Sequence, residues 1–351
     1  MKKLTLLVFS LRHAQGIAIL FLLAACASAG PTTLTVMTHD SFAISEDVVT
    51  SFEEANNVDV VFLQSGDAGS MLNKAVLSKD APLADVMFGV DNTFLSRALA
   101  ADIFDAYQSP ALSAVPAEFV LDSSFRALPV DYGDVCINYD KNYFAENNLA
   151  VPQSFEDLAK PEYNGLLVVE NPATSSPGLA FMLATRAYFG DGFLDYWQSL
   201  KDNGVVVVDG WETAYYTNFS ASSGNGNQPM VVSYASSPAA EVFFAPSPLT
   251  ESPTASIIAS GMCFRQIEFV GIFKNGQNRD LAEKFVDFML GEQFQEDMPL
   301  NMFVYPVNEA AQLPDVFVNF AQIAENPAML SYEEIATNRD AWIEAWAEIM
   351  K

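Results

Sequence analysis

The stretch TTLTVMTHDSFAISEDVVTSFEEANNVDVVFLQ, residues 32–64, contains the pattern that decides the fold. Apolar residues alternate with threonine at its start, which is typical of a strand with one buried face. Ser45 then stands at an expected helix N-cap, ahead of apolar residues at helical spacing, and residues 58–63 predict a second strand. A third strand is predicted at residues 85–90. Strands that alternate with helices in this way predict an α/β layer with a parallel sheet.

The second half of the chain shows the same alternation. Strands are predicted at residues 166–170, 205–208 and 230–234, and helices at residues 177–189, 192–203, 279–290 and 332–351. Extended segments at residues 128–140 and 262–272 connect the two blocks. Two α/β blocks joined by extended segments predict two lobes with a ligand cleft between them.

The composition is that of a folded, acidic protein. The chain has 351 residues, of which 50% are hydrophobic and 17% charged, so a sizeable core is expected. The formal net charge of −27 argues against nucleic-acid or anionic-membrane binding, because neutralising phosphates requires a basic surface. The acidity is compatible with a cationic ligand and also with a solvated acidic surface.

The N-terminal segment has the pattern of an export signal. Basic residues precede an apolar run that begins at Ile17 and ends in Leu23-Ala24-Ala25-Cys26. Small residues before the cysteine suit a signal peptidase, and Cys26 would then carry a lipid. We expect residues 1–25 to be a lipoprotein signal peptide, residues 26–31 a linker, and the mature protein to be extracytoplasmic and membrane-anchored. A plain signal peptide with an incidental cysteine is the alternative.

Two further cysteines, Cys136 and Cys263, lie in predicted extended segments. With Cys26 assigned to lipid, they form an even pair in an oxidising compartment, which is compatible with a disulfide or with two buried free thiols. No second cysteine stands at metal-ligand spacing, so no metal site is predicted.

The sequence lacks the motifs of common catalytic sites. It contains no G-x-S-x-G, H-E-x-x-H, Walker or G-x-G-x-x-G pattern. His13 falls in the signal region, so a hydrolase with a histidine base would depend on His39 alone. We therefore expect a protein that is not an enzyme and needs no cofactor.

Polar and aromatic residues gather at predicted strand ends. Ser175 and Ser176 open a helix, where free backbone N–H groups suit an anion such as phosphate; a simple helix cap is the alternative. Aromatic rings at other strand ends can hold a flat or cationic ring, although core packing is the ordinary explanation for each one alone. These rings belong to Trp211, Tyr215, Tyr216 and Tyr234, and Asp67, Asp91 and Asp131 lie at further strand ends.

The order of these motifs resembles the thiamine-binding substrate proteins of ABC importers over nearly the whole mature chain. The matching motifs are Thr38-His39-Asp40-Ser41-Phe42, Ala84-Asp85-Val86-Met87-Phe88-Gly89-Val90-Asp91-Asn92, Asp131-Tyr132-Gly133, Tyr139-Asp140-Lys141-Asn142, Thr174-Ser175-Ser176-Pro177-Gly178-Leu179, Gly210-Trp211-Glu212-Thr213-Ala214-Tyr215, Ser233-Tyr234 with Ser237-Pro238, Tyr305-Pro306-Val307 and Arg339-Asp340-Ala341-Trp342. The resemblance implies an α/β, two-lobe type II periplasmic-binding-protein fold with hinge strands and an interlobe cleft. Lobe one would comprise residues 32–129 with 268–351, and lobe two residues 130–267. The hinges would then bring Cys136 close to Cys263.

The resemblance also implies a set of ligand-binding residues. They are His39, Asp40, Asp67, Asp91, Ser175, Trp211, Tyr215, Tyr234 and Phe303. Asp67 matches an acidic ligand contact of the family, and Ser175 matches the hydroxyl that accepts a phosphate. The chain departs from the family pattern where His39 and Ala240 each replace a Tyr and Phe303 replaces a Trp.

The leading hypothesis is a lipid-anchored, monomeric receptor that delivers thiamine or its phosphate esters to an ABC permease. A ferric-iron-binding protein of the same fold is the main alternative, since Tyr215-Tyr216 resembles the tandem tyrosines of iron-binding relatives and His39 stands where they carry a histidine ligand. A receptor for another small solute, such as a polyamine or an organophosphonate, is a further alternative. So are an exported hydrolase that uses His39 and a purely structural surface lipoprotein.

Overall fold

The computed structural model describes residues 31–221 and 226–351, so the predicted signal peptide, Cys26 and most of the linker lie outside the described residues. The strands are β1 (Thr32–Thr38), β2 (Val58–Gln64), β3 (Val86–Asp91), β4 (Phe104–Asp105), β5 (Leu128–Asp140), β6 (Leu167–Glu170), β7 (Val206–Val208), β8 (Met230–Tyr234), β9 (Thr254–Ile257), β10 (Phe264–Phe273) and β11 (Tyr305–Pro306). The α-helices are α1 (Glu46–Asn56), α2 (Ala68–Leu77), α3 (Leu95–Ala100), α4 (Lys141–Glu146), α5 (Phe155–Leu158), α6 (Ser176–Phe189), α7 (Phe193–Asp202), α8 (Ser237–Phe243), α9 (Arg279–Met289), α10 (Glu292–Asn301), α11 (Asp315–Phe320) and α12 (Tyr332–Met350). A π-helical turn covers Thr213–Asn218.

The strand–helix alternation predicted from residues 32–64 is confirmed. β1 pairs in parallel with β2 on one side and with β3 on the other. Ser45 does stand at the N-cap position of α1, but its hydroxyl donates to Asp297 and makes no cap hydrogen bond to α1. The residue therefore ties the start of α1 to α10, a contact that local sequence could not reveal.

The strand order is β2-β1-β3-β10-β5-β8-β6-β7. We call the side with β2, β1 and β3 the first lobe and the side with β8, β6 and β7 the second lobe. β6 pairs in parallel with β7 and β8, as β1 does with its own neighbours. The fold is thus the predicted two-lobe α/β arrangement, with β5 and β10 between the lobes.

Two long antiparallel strands connect the lobes. β10 pairs with β3 of the first lobe and with β5, and β5 continues into antiparallel pairing with β8 of the second lobe. In the structure a disulfide joins Cys136 of β5 to Cys263, which directly precedes β10: the two sulfur atoms are 2.10 Å apart, and both residues are fully buried. The lobe boundaries at 129/130 and 267/268 stay a prediction.

The C-terminal helix α12 packs on both lobes. The rings of Trp346 and of Trp197 in α7 meet edge to face with centroids 5.4 Å apart, and the Arg339 guanidinium lies over Phe94 beside α3. Within residues 31–221 and 226–351, no helix is both long and apolar enough to cross a bilayer.

Candidate functional site

A cavity of about 350 Å³ lies between the two lobes, and we call it the interlobe cavity. Seven of the nine predicted ligand-binding residues line it: His39, Asp40, Asp67, Trp211, Tyr215, Tyr234 and Phe303. Asp91 and Ser175 are fully buried and are not among its lining residues. The predicted site residues are therefore brought together, with these two behind the cavity wall.

Strand ends position most of these side chains. His39 follows β1, Asp67 precedes α2, Trp211 follows β7, and Tyr234 ends β8. Because the carboxyl ends of parallel strands in each lobe meet at one sheet edge, residues far apart in sequence face the same cleft.

Aromatic rings form one wall of the cavity. The rings of Trp211 and Tyr215 are stacked with centroids 5.0 Å apart and planes 20° apart. The Trp211 indole donates a 2.9 Å hydrogen bond from Nε1 to Ser233 Oγ, which fixes the ring orientation. Tyr216 meets Trp211 edge to face and is 53% exposed. This wall can stack against a flat ligand ring.

A second pair of aromatic rings, those of Phe303 and Phe244, also lines the cavity. Phe303 and Phe244 have ring centroids 5.5 Å apart, and Phe244 is 69% exposed. Phe303 adopts a left-handed backbone conformation, with φ of 53°, and its carbonyl accepts a hydrogen bond from the Ser236 hydroxyl. Ala240, one helical turn before Phe244, also lines the cavity, so Phe244 supplies an aromatic ring beside the position where the family pattern has Tyr.

Tyr215 is poorly suited to binding a ferric ion. Its hydroxyl donates a 2.6 Å hydrogen bond to Glu241 Oε1. Burial, and next the Glu241 carboxylate, raise the pKa of Tyr215 well above its ordinary value, whereas an iron ligand must lose its proton. Among the residues that the structure describes, no group of three or more His, Cys, Asp or Glu side chains is arranged to hold a metal ion.

The Asp67 carboxylate bridges the two lobes. It accepts hydrogen bonds from the backbone N–H of Ser176 at 3.3 Å and of Trp211 at 3.1 Å, both in the second lobe. It also accepts one from Ala68 at 2.6 Å, as the N-cap of α2. Burial raises the pKa of Asp67, and these N–H groups oppose that rise. The N-terminus of α6, where sequence reasoning expected an anion, is thus occupied by the protein's own carboxylate.

Ser175 stands at the N-cap position of α6 without a capping hydrogen bond from its side chain. Its buried hydroxyl faces the Asp67 carboxylate and lowers the pKa of that group against the effect of burial. A role of Ser175 toward ligand phosphate stays a prediction.

Glu268 lines the floor of the cavity at the hinge strands, and two further acidic residues are buried behind it. Glu268 of β10 lies in register with Asp131 of β5 and with Asp91 of β3. The three are 6%, 0% and 0% exposed. Burial, followed by the carboxylates of Asp131 and Asp91, raises the pKa of Glu268 well above its ordinary value. His39 Nε2 lies 3.7 Å from Glu268 Oε1.

A hydrogen-bonded chain links the floor to the second lobe. The Tyr234 hydroxyl donates to Gln266 Oε1 at 2.9 Å, and Gln266 Nε2 donates to Ser176 Oγ at 2.7 Å. Gln266 therefore holds a cavity-lining tyrosine and the first turn of α6 together.

The charge of the lining favours a cation. The acidic lining residues are Asp40, Asp67, Glu212 and Glu268, and none of the described residues that line the cavity is Lys or Arg. Aromatic faces add to this preference, because they attract cations electrostatically.

Sequence reasoning missed several lining residues, among them Glu212, Phe244, Glu268 and Met302. Glu212 directly follows the predicted site residue Trp211, and this position next to Trp211 was the one sign in the sequence that Glu212 could lie at the site. Glu268 lies inside a strand whose sequence is that of ordinary core, and Phe244 directly follows the short helix α8. Only the strand register and the approach of the lobes place these two at the cavity.

A two-lobed α/β protein with a cavity between its lobes at the strand ends, and with two long strands connecting the lobes, has the architecture of a solute-binding protein of the type II periplasmic-binding fold. The description of the matching family agrees: residues 81–319 match the bacterial extracellular solute-binding proteins. The chain belongs to this family, which is defined by solute binding rather than by a reaction.

Individual relatives extend the similarity over nearly the whole chain. A thiamine-binding periplasmic protein of Salmonella typhimurium is 31% identical over 336 residues, 93% of this chain and 96% of that protein. One from Brucella suis is 30% identical over 355 residues, 99% of this chain and 98% of that protein. A solved structure of a periplasmic thiamin binding protein superposes with a TM-score of 0.81 at 28% identity, covering 92% of this chain and 98% of that one.

Proposed function

We propose that this chain is the solute-binding component of an ABC importer and that its interlobe cavity binds thiamine. The observation that carries the proposal is a cavity between two lobes, walled by aromatic rings and acidic side chains. Thiamine is a cation made of two flat rings, so ring faces can stack on it and carboxylates can offset its charge. Similarity to proteins named for thiamine binding supports the same ligand.

Calorimetric titration of the purified protein with thiamine tests the proposal. Trp211→Ala removes a ring face and should weaken binding by about 1–3 kcal/mol, whereas Trp211→Phe keeps a face and loses only the indole bond to Ser233. The Phe variant should therefore bind more tightly than the Ala variant. A protein that gave no heat with thiamine but titrated cleanly with another solute would contradict the proposal.

We also propose that thiamine phosphate esters are ligands, with the phosphate directed to the first turn of α6 near Ser175. In the structure Asp67 already accepts from the Ser176 N–H, so the phosphate and the carboxylate compete for one donor. Asp67→Asn removes the competing negative charge and should raise the affinity for thiamine monophosphate relative to thiamine. Ser175→Ala should lower the same ratio. If neither variant changes the ratio, the phosphate lies elsewhere.

We propose binding without turnover. His39 Nε2 has no hydrogen-bond partner among the described residues, so no serine is poised as a nucleophile against it. Ligand incubated with the protein should be recovered unchanged by mass spectrometry, and a product that disappears in His39→Ala would instead identify a hydrolase. An absorption band of tyrosinate-bound iron in purified protein would favour the ferric alternative.

We propose that Cys26 anchors the mature protein by lipid outside the cytoplasm, as a monomer that docks on a membrane permease. Cys26→Ser should move the protein from the membrane fraction to the soluble fraction after export. Light scattering should give the mass of one chain. A membrane fraction that is unaffected by Cys26→Ser would contradict the anchor.

A further inference from the structure

Glu268 is one of the four acidic residues that line the interlobe cavity, and it differs from the other three in lying opposite two further buried carboxyls on the hinge strands. We propose that Glu268 recognises the aminopyrimidine ring of the ligand as a carboxylic acid, through one donated and one accepted hydrogen bond. This inference rests on thiamine being the ligand. It makes Glu268 a residue that selects for the 4-aminopyrimidine ring rather than for positive charge.

Strand register determines where the Glu268 carboxyl lies. Glu268, Asp131 and Asp91 lie opposite one another on neighbouring strands, and directly opposed residues point to the same face of a sheet. Of the three, only Glu268 lines the cavity; Asp91 and Asp131 are fully buried behind it. The Glu268 carboxyl is therefore the one that a ligand reaches.

Burial and the groups around Glu268 favour its protonated form. The titratable groups that face it are His39 after β1, Asp67 before α2, and three on the strands: Asp91, Asp131 and Tyr234. Burial lowers the pKa of His39 to about 4, so this nearest basic group is neutral at pH 7. Closely packed carboxyls without a cation cannot all ionise.

Asp91 takes the negative charge most readily among the three acids. Its carboxylate accepts hydrogen bonds from the Thr93 hydroxyl at 2.8 and 3.0 Å and from the Phe94 N–H at 3.3 Å. Asp131 has no such donor among the described residues except the carboxyl of Glu268, whose hydrogen bond opposes the rise that burial gives to the pKa of Asp131. Burial raises the pKa of Asp131 as it does that of Glu268, so this opposed pair retains a proton near neutral pH.

A second observation points to a ligand at the same place. His39 is 8% exposed and lines the cavity, yet its Nε2 has no hydrogen-bond partner within the part of the chain that the structure describes. Buried polar atoms in native proteins are nearly always paired, so an unpaired ring nitrogen on a cavity wall indicates a partner supplied by the bound molecule. The carboxyl of Glu268 and this nitrogen are neighbours on one surface.

The chemistry of a neutral carboxyl matches one edge of the ligand. A protonated carboxyl presents an O–H donor beside a carbonyl acceptor, whereas a carboxylate presents acceptors only. The edge of a 4-aminopyrimidine presents a ring-nitrogen acceptor beside an amino N–H donor. The two patterns are complementary. The thiazolium ring has no N–H donor and is better served by the aromatic faces and by Asp40 and Glu212, which also line the cavity.

Two variants of Glu268 separate these possibilities. Glu268→Gln keeps one donor and one acceptor in nearly the same shape, and Glu268→Leu removes both. Calorimetry should show thiamine affinity within about threefold of wild type for the Gln variant and at least about tenfold weaker for the Leu variant. A thiamine analogue with hydrogen in place of the 4′-amino group should bind wild type at least about tenfold more weakly than thiamine does. It should lose little further affinity in the Leu variant.

Three results would overturn the inference. Equal losses in the Gln and Leu variants would show that Glu268 acts as a carboxylate. Unchanged affinity in the Leu variant would remove Glu268 from recognition while thiamine binding stands. Equal affinity of the wild-type protein for thiamine and for the analogue would also remove Glu268 from recognition. This result does not depend on the folding of any variant. Wild-type protein that failed to bind thiamine at all would overturn the proposed function itself.

Discussion

Replacing Asp67 with Asn tests whether a single side chain holds the lobes closed. In the structure this carboxylate, from the first lobe, accepts backbone N–H bonds from Ser176 and Trp211 of the second lobe. Asn keeps one acceptor oxygen and replaces the other with an NH2 group that cannot accept. One interlobe hydrogen bond is therefore lost, and two donors are left facing each other.

The magnitude follows from the kind of bond. A hydrogen bond to a charged group contributes about 1.5–3 kcal/mol. Part of that loss is offset because the variant also removes repulsion: burial raises the pKa of both Glu170 and Glu212, and the Asp67 carboxylate adds to both rises. A net cost of about 1–2 kcal/mol corresponds to about 5–30-fold weaker thiamine binding, since 1.4 kcal/mol is a factor of ten.

Stopped-flow tryptophan fluorescence measures the rates of thiamine association and dissociation, and these rates distinguish an effect on lobe closure from an effect on direct ligand contact. The loss of affinity should appear mainly as faster thiamine dissociation, because the interlobe hydrogen bonds of Asp67 act after the ligand has entered. Asp40→Asn is the control for the loss of a negative charge beside the ligand: Asp40 also lines the cavity, and its side chain makes no interlobe hydrogen bond among the described contacts, so only a loss greater than in this variant is due to the interlobe bonds of Asp67. Small-angle scattering should show a larger radius for ligand-saturated Asp67→Asn than for the control. Equal dissociation rates and equal radii of gyration in the two variants would contradict the prediction that Asp67 holds the lobes together.

Three further predictions concern stability. Replacing Cys136 and Cys263 with Ala should lower the free energy of unfolding in urea by about 2–4 kcal/mol, because the disulfide closes a loop of 127 residues; two free thiols in the mass of the native protein would contradict it. Burial, followed by the carboxylates of Asp131 and Asp91, raises the pKa of Glu268 well above the ordinary value of 4.5, so above that pH the folded state holds a proton that the unfolded state has released. The melting temperature should therefore fall as the pH is raised above that value, and Glu268→Gln should flatten the fall. Gly178→Ala should cost about 1–3 kcal/mol, because its Cβ would lie 2.4 Å from a backbone oxygen at the end of β6; Gly192→Ala, where no atom lies within 4 Å, is the control, and equal melting temperatures would contradict the clash.

Local pattern predicted most strands and most of the longer helices within a few residues, but not the short strands β4, β9 and β11. The predicted closing helix at residues 332–351 is α12, Tyr332–Met350, and the predicted strand at residues 205–208 is β7, Val206–Val208. The sequence interpretation did not identify α10, which contains Pro299, because proline in a helix interior removes a hydrogen bond and breaks the expected pattern.

The candidate site likewise contains residues whose position the sequence predicted and residues whose position it did not. Trp211 and Tyr234 were predictable because motifs at strand ends carry them, and both line the cavity. Ser175 carries an equally clear motif but lies buried behind Asp67. A motif states which residue types occur at a junction, and it does not state which of their side chains faces the cleft.

The amino-acid order by itself determined the α/β class, the two blocks and the aromatic, acidic character of the ligand site, because periodicity and strand-end chemistry are local properties. Only the tertiary structure decided that Asp67 bonds across the lobes and that Glu268 meets Asp131 at the floor of the cavity. These contacts join residues far apart in the chain. They depend on strand register and on how the two lobes approach each other, and neither is written in any short stretch of sequence.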